Sequence, residues 1–138
     1  MPGVLADPVA ALSEDLDVLD GRELAERLQR LEVLGRRVEH ARLKVIAEAD
    51  RRAVWADDGH RGVRGWCLAT CNWSGGETTH RLRSVAVLRD LASVDAKLAA
   101  GEIGVAQVRE LARVRANPRW PPLARQQTLR LCLNPARG

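Results

Sequence analysis

The chain contains no phenylalanine and no tyrosine, and four tryptophans supply all of its Phe, Tyr and Trp content. A core built almost without rings has to come from Leu, Val and Ala, which suits packed helices better than sheets. No apolar run approaches the roughly 20 residues of a membrane-spanning helix. The N-terminus lacks the basic stretch and apolar segment of a secretory leader, so a cytoplasmic protein without a membrane partner is the expectation. Cysteine is sparse and odd in number: Cys67, Cys71 and Cys132. That set makes no disulfide framework and reads as reduced thiols. Lysine is scarce as well, since 20 of the 22 basic residues are Arg. No segment alternates convincingly as a strand, and no internal repeat is found.

What is present fits one modest helical domain. The chain has 138 residues, of which 46% are hydrophobic, enough for a single core and too many for wholesale disorder. Charge is unevenly spread. Residues 1–20 carry five acids and no Lys or Arg, whereas residues 59–138 carry thirteen bases against five acids. The basic back half reads as a surface suited to a polyanion.

The helix signals come in order. Asp7-Pro8 has the form of an N-cap followed by Pro at the first helical position, predicting a short acidic helix from Pro8 to about Leu19. Asp20 then caps a second helix, with Glu23 at the capping-box position. Leu24, Leu28, Leu31, Leu34, Val38, Ala41, Val45 and Ala49 follow at steps of three and four, a helical stripe that predicts one long helix to about Val54. Leu43 and Ile46 form a second apolar edge. The turn residues of Trp55–Gly62 break the pattern. A short third helix is predicted over Val63–Cys71, a capped fourth to about Leu91, a fifth over Val94–Ala100 ended by Gly101, and a sixth over Gly104–Val114. Asn117–Pro122 is a stop. Three segments result: an acidic stretch at 1–20, a helical domain at 21–116, and a tail at 117–138. The fold class is all-α, a multi-helix domain with one long N-terminal helix.

The stretch "NWSGGETTHRLR", Asn72 to Arg83, carries the most chemistry. Ser74 and Glu77 make a capping box, and Gly75 and Gly76 fall in the first turn, where backbone N–H groups have no helical partners. Two glycines leave that turn bare enough for a phosphate to approach. The GK[ST] element of a phosphate-binding loop is missing. A short helix with Leu68 at its buried centre, a turn at Asn72, an apolar Trp73 and a Ser-capped second helix form the layout of a helix-turn-helix. The second helix should bury Leu82, Val85 and Ala86 and expose Gly75, Gly76, Thr79, His80 and Arg83. Those residue types hydrogen-bond bases and phosphates, with Arg64, Arg81 and Arg109 as further phosphate contacts. A capped amphipathic helix with a solvated face explains the same residues equally well.

Three stretches carry a family resemblance: "EADRRAVWADDGHRGVRGWCLATCNWS", "VAVLRDLASVDAKLAAGEIGVAQVREL" and "RANPRW". Trp66, Ser74, Leu88 to Leu91 and Ala99 to Ile103 fit its core pattern. From about Leu24 to Trp120 the chain resembles the 13E12 repeat family, whose shared region is an all-helical domain of unknown function that often precedes an HNH nuclease domain. The resemblance implies a module without that nuclease part, a truncated or frame-disrupted copy. The sequence departs from the family at Asn72, where a turn glycine is usual. Ala92 stands where a proline often follows, and Gly104 stands where Ser or Thr usually caps the next helix.

Catalysis is not expected of these residues. An HNH nuclease needs a ββα unit with a general-base His, an Asn and a metal-ligand His, whereas His40, His60 and His80 lie about twenty residues apart in or beside helices. Cys67 and Cys71 at a spacing of four lack the CxxC form of strong zinc sites. Ser74 with His80 and Asp90 makes no triad, because capping already accounts for the serine. Asp57 and Asp58 read as turn residues. No cofactor and no metal are expected. Two function classes remain: a non-catalytic DNA-binding module, and a helical interaction module that pairs with another chain, or with its own copy, along the Leu24–Ala49 stripe.

Overall fold

The computed structural model describes residues 15–116, which form six α-helices and, among those residues, no strand. The helices are α1 (Gly21–Arg51), α2 (Val54–Asp57), α3 (Val63–Cys71), α4 (Gly75–Asp90), α5 (Ala92–Ala100) and α6 (Val105–Ala116). The predicted start of the acidic helix at Asp7-Pro8 and the whole 117–138 tail lie outside the described residues. The chain divides into two compact units, Met1–Glu32 and Val33–Gly138.

In the first unit, Leu16–Val18 is a single 3-10 turn capped by Asp15, not the end of an acidic α-helix. Its Asp15 carboxylate accepts the Asp17 N–H at 3.1 Å, a local bond that competes with helix continuation. Helix α1 then starts as the spacing predicts. The Asp20 carboxylate accepts the Glu23 N–H at 2.8 Å, and the Glu23 carboxylate accepts the Asp20 N–H at 3.3 Å. Two of the four orphan donors at the helix start are thereby satisfied. Leu24, Leu28 and Leu31 remain exposed in this unit.

The second unit holds the core: Leu43 and Ile46 from α1, Cys67 from α3, Val87 and Leu88 from α4, Val94 and Leu98 from α5, and Ile103 with Val108, Leu111 and Ala112 at and in α6. The α1 face that enters this core is not the long stripe. Val38 and Val45 stay 41% and 62% exposed, whereas Leu43 and Ile46, the second apolar edge, are almost fully buried beside Glu39. Apolar spacing marks a helix but not which of two apolar edges finds a partner. Helix α1 stops at Arg51, three residues before the predicted end, because Ala53 takes the left-handed conformation at φ 51°.

The remaining boundaries fall within about two residues of expectation. Gly101 ends α5 at φ 77°. Its N–H donates to the Leu98 carbonyl at 3.0 Å, and the Glu102 N–H donates to the Lys97 carbonyl at 2.8 Å, the paired bonds of a glycine-ended helix. A Cβ at Gly101 would lie 2.8 Å from the Val33 side chain, so the glycine also permits close approach to α1. At Gly104, where no hydroxyl is present to cap α6, the Gln107 side chain turns back and accepts the Gly104 N–H at 2.6 Å.

Candidate functional site

Helix α3 ends where Asn72 adopts φ 55°, ψ 35°, and its N–H donates to the Leu68 carbonyl at 3.0 Å. Asparagine tolerates this left-handed geometry better than most residues, so it stands in for a turn glycine. Trp73 follows, packed against the core. Ser74 caps α4, its Oγ accepting the Glu77 N–H at 3.1 Å. The capping box is not closed, however, because the Glu77 carboxylate turns away from the cap. Glu77 Oε2 accepts from Arg81 at 2.7 Å and from Arg109 of α6 at 2.8 Å. The Arg109 hydrogen bond and charge, with Arg81, hold the Glu77 carboxyl below the usual carboxylate range.

Arg81 anchors this arrangement from the inside. Its side chain is only 13% exposed, and its Nε donates to Glu39 of α1 at 3.0 Å. The guanidinium also lies 4.2 Å from the centre of the Trp73 ring, a cation–π contact. Glu39, itself buried, accepts a further bond from Arg42 at 3.2 Å. Carboxylates of α1 and α4 thus compensate Arg81, and its planar fork serves two of them at once. The interior hydroxyls are satisfied too: Thr78 donates to the Ser74 carbonyl and Ser84 to the His80 carbonyl, each at 2.9 Å.

The residues proposed to meet DNA separate into three settings. Gly75, Gly76, His80 and Arg83 are exposed on α4. Thr79 is half-buried, donating to the Gly75 carbonyl at 2.9 Å and accepting from Arg64 of α3 at 2.7 Å. Arg64 also donates to the Gly75 carbonyl at 3.3 Å. The glycine turn is therefore flanked by a guanidinium rather than left open. Arg81 faces inward, and Arg109 is half-exposed on Glu77. In the α4 core face, Val87 and Leu88 are the fully buried apolar residues, while Leu82, Val85 and Ala86 are half-buried. Cys67 rather than Leu68 takes the fully buried place in α3.

His80 and Arg83 face α6 across a groove of about 260 Å³, whose far wall includes Arg109, Glu110 and Arg113. Arg83 has no hydrogen-bond or ion-pair partner among the described residues. Arg113 is held at its own helix surface by Glu110, Nε to Oε2 at 3.2 Å, and that bond lowers the Glu110 carboxyl and raises the Arg113 guanidinium from their ordinary values. Sequence reading did not single out Arg113; the signal for it was its position four residues after Arg109 on one face of α6.

The histidines occupy separate surroundings. The His40 Nε2 is 2.8 Å from Asp95 of α5, His60 lies beside Gly65, and His80 is exposed on α4. Asp58 accepts the Trp66 indole N–H at 3.0 Å, a structural task for that turn residue. Among the described residues, no three His, Cys, Asp or Glu side chains are grouped to hold a metal ion. No helix among them is long and apolar enough to cross a membrane. Residues 25–131 match the family model DUF222, described as a domain of unknown function. No curated protein and no solved structure matches the chain.

Proposed function

The chain belongs to the DUF222 family, and from that premise we propose that it is a non-catalytic DNA-binding helical module, with α3 and α4 acting as a helix-turn-helix and α4 as the contact element. The observation that carries this reading is the solvent face of α4. It presents Gly75, Gly76, His80 and an Arg83 without a partner among the described residues, with Arg64 at the helix start and Arg109 alongside. A helix docked on a duplex uses such guanidiniums for phosphates or guanine edges. The excess of thirteen bases over five acids after residue 58 supplies the long-range attraction. The resemblance to the 13E12 repeat family extends the reading: the module corresponds to the helical region that in that family often precedes an HNH nuclease domain, and DNA engagement is its proposed role.

The test is fluorescence anisotropy with random duplex DNA at two salt concentrations. Binding should weaken steeply with salt. Arg83→Ala should lower the salt slope by about one unit if the contact is a phosphate, or cost roughly 1–3 kcal/mol of discrimination at one base pair if it is a guanine. A folded Arg83→Ala protein that binds with unchanged affinity, slope and preference refutes the assignment of this face.

A second reading has its own support. In the second unit, Val38, Ala41 and Val45 of α1 with Trp66 and Trp73 line an apolar groove of about 350 Å³. Exposed apolar surface of this kind marks association, and a second copy paired through α1 is the proposed occupant. Concentration-dependent dimerisation without DNA affinity in sedimentation would favour it over the first reading.

A further inference from the structure

Arg109 and Arg113 lie four residues apart on α6 and both line the groove that His80 and Arg83 of α4 face. One helical turn separates them by about 6 Å of rise. Projected on the duplex axis, that span covers about two phosphate repeats of one strand. The floor is apolar, with Ala112 buried and Ala106 beside it. Among the described residues the only ring on the groove is the His80 imidazole, with no Trp there, so it offers little stacking platform for a base. Its charged atoms are guanidiniums and the single carboxylate of Glu110, a composition suited to the sugar-phosphate backbone rather than to base edges.

We infer that α6 supplies a phosphate clamp, Arg109 with Arg113, and that Glu77 and Glu110 hold these two guanidiniums until phosphate replaces the carboxylates. This inference rests on the DNA-binding reading and adds to it a second contact element and a division of labour. Helix α4 meets the groove of the duplex, and α6 meets one strand's backbone. Each carboxylate is exposed enough to be displaced: the Glu77 and Glu110 side chains are 42% and 45% accessible. Exchanging an exposed ion pair for a phosphate contact costs little, because surface pairs are weak.

A matched control exists within the same unit. Arg51 and Glu48 on α1 form the same i, i+3 pair, with Arg Nε to Glu Oε2 at 2.9 Å and an Arg side chain equally exposed at 71%. The experiment measures binding of a random 16-base-pair duplex across a salt series for wild type, Arg83→Ala, Arg113→Ala, Glu110→Gln, Arg51→Ala and Glu48→Gln, each checked for folding by circular dichroism. Arg113→Ala should weaken binding to every sequence and lower the salt slope by about 0.9. Glu110→Gln should tighten binding about two- to fivefold, since a competing partner is gone. Arg51→Ala and Glu48→Gln should change neither slope nor affinity by as much. If Arg83→Ala weakens binding while the α6 variants behave like the α1 pair, the clamp is overturned and the DNA-binding reading stands. If wild type shows no salt-dependent binding, both fall together.

Discussion

Glu77 stands where a carboxylate ordinarily closes a capping box, and its departure from that role shows how tertiary partners redirect a side chain. The local gain from a closed box is about 1 kcal/mol. Two guanidiniums, Arg81 and Arg109, offer ion-paired bonds at 2.7 and 2.8 Å instead, two charge-assisted bonds in place of the one that the cap offers. The cap therefore rests on Ser74 alone. Ser74→Ala should cost about 1 kcal/mol in urea unfolding, with the helix content of the folded state unchanged by circular dichroism. Glu39 is a different case. It is buried and is one of the two carboxylates that compensate Arg81, so Glu39→Ala leaves that part-buried guanidinium to Glu77 alone and should cost about 2 kcal/mol. Adding Arg81→Met to that variant should recover part of the loss, because the half-compensated charge is then gone. A Glu39→Ala protein as stable as wild type would mean that Glu77 alone compensates Arg81.

Among elements, α1 has two apolar edges, and only Leu43, Ile46 and Ala49 are buried. The helix is held against α5 by charge as well as by packing. His40 and Lys44 both meet Asp95, at 2.8 and 3.2 Å. Partial burial pushes the Asp95 carboxyl up, but hydrogen bonds from His40 and Lys44 and the Lys44 charge outweigh it and hold the group below its ordinary value. A carboxyl lowered on folding contributes stability above the unfolded value, near pH 4, and loses it as pH falls through the folded value. Wild type should therefore exceed Asp95→Asn in stability at pH 7, and the gap should close below about pH 4. Chemical denaturation at pH 7, 5 and 3 checks this. A gap that stays constant across that range would assign Asp95 to packing alone.

At the scale of the whole molecule, the basic residues and the histidines are distributed in opposite ways. The bases concentrate after residue 58, whereas His40, His60 and His80 belong to separate neighbourhoods on α1, before α3 and on α4. A nuclease needs its base, its Asn and its metal ligand within one small site. Purified protein with Mg²⁺ or Zn²⁺ should accordingly leave plasmid DNA uncut. Cleavage by highly purified protein, absent from a parallel preparation of a helix-disrupted variant, would overturn that expectation.

Local chemistry was enough to determine the helical class and most helix ends. Asp20 with Glu23, Ser74, Asn72 and Gly101 act through atoms within five residues of themselves, so their effects are legible in one dimension. The candidate contact face on α4 was legible in part for the same reason, since helical spacing places Gly76, His80 and Arg83 together. Tertiary structure alone decided what depends on neighbours distant in the chain. It chose the Leu43–Ile46 edge of α1 for the core over the longer stripe. It drew Arg81 inward to Glu39, 42 residues away, and moved Glu77 from its cap to Arg109, 32 residues away. It also set Arg113 on the groove that Arg83 faces. An arginine's guanidinium sits at the end of a long flexible stem, so its partner is settled by which carboxylate the packing of other helices brings within reach.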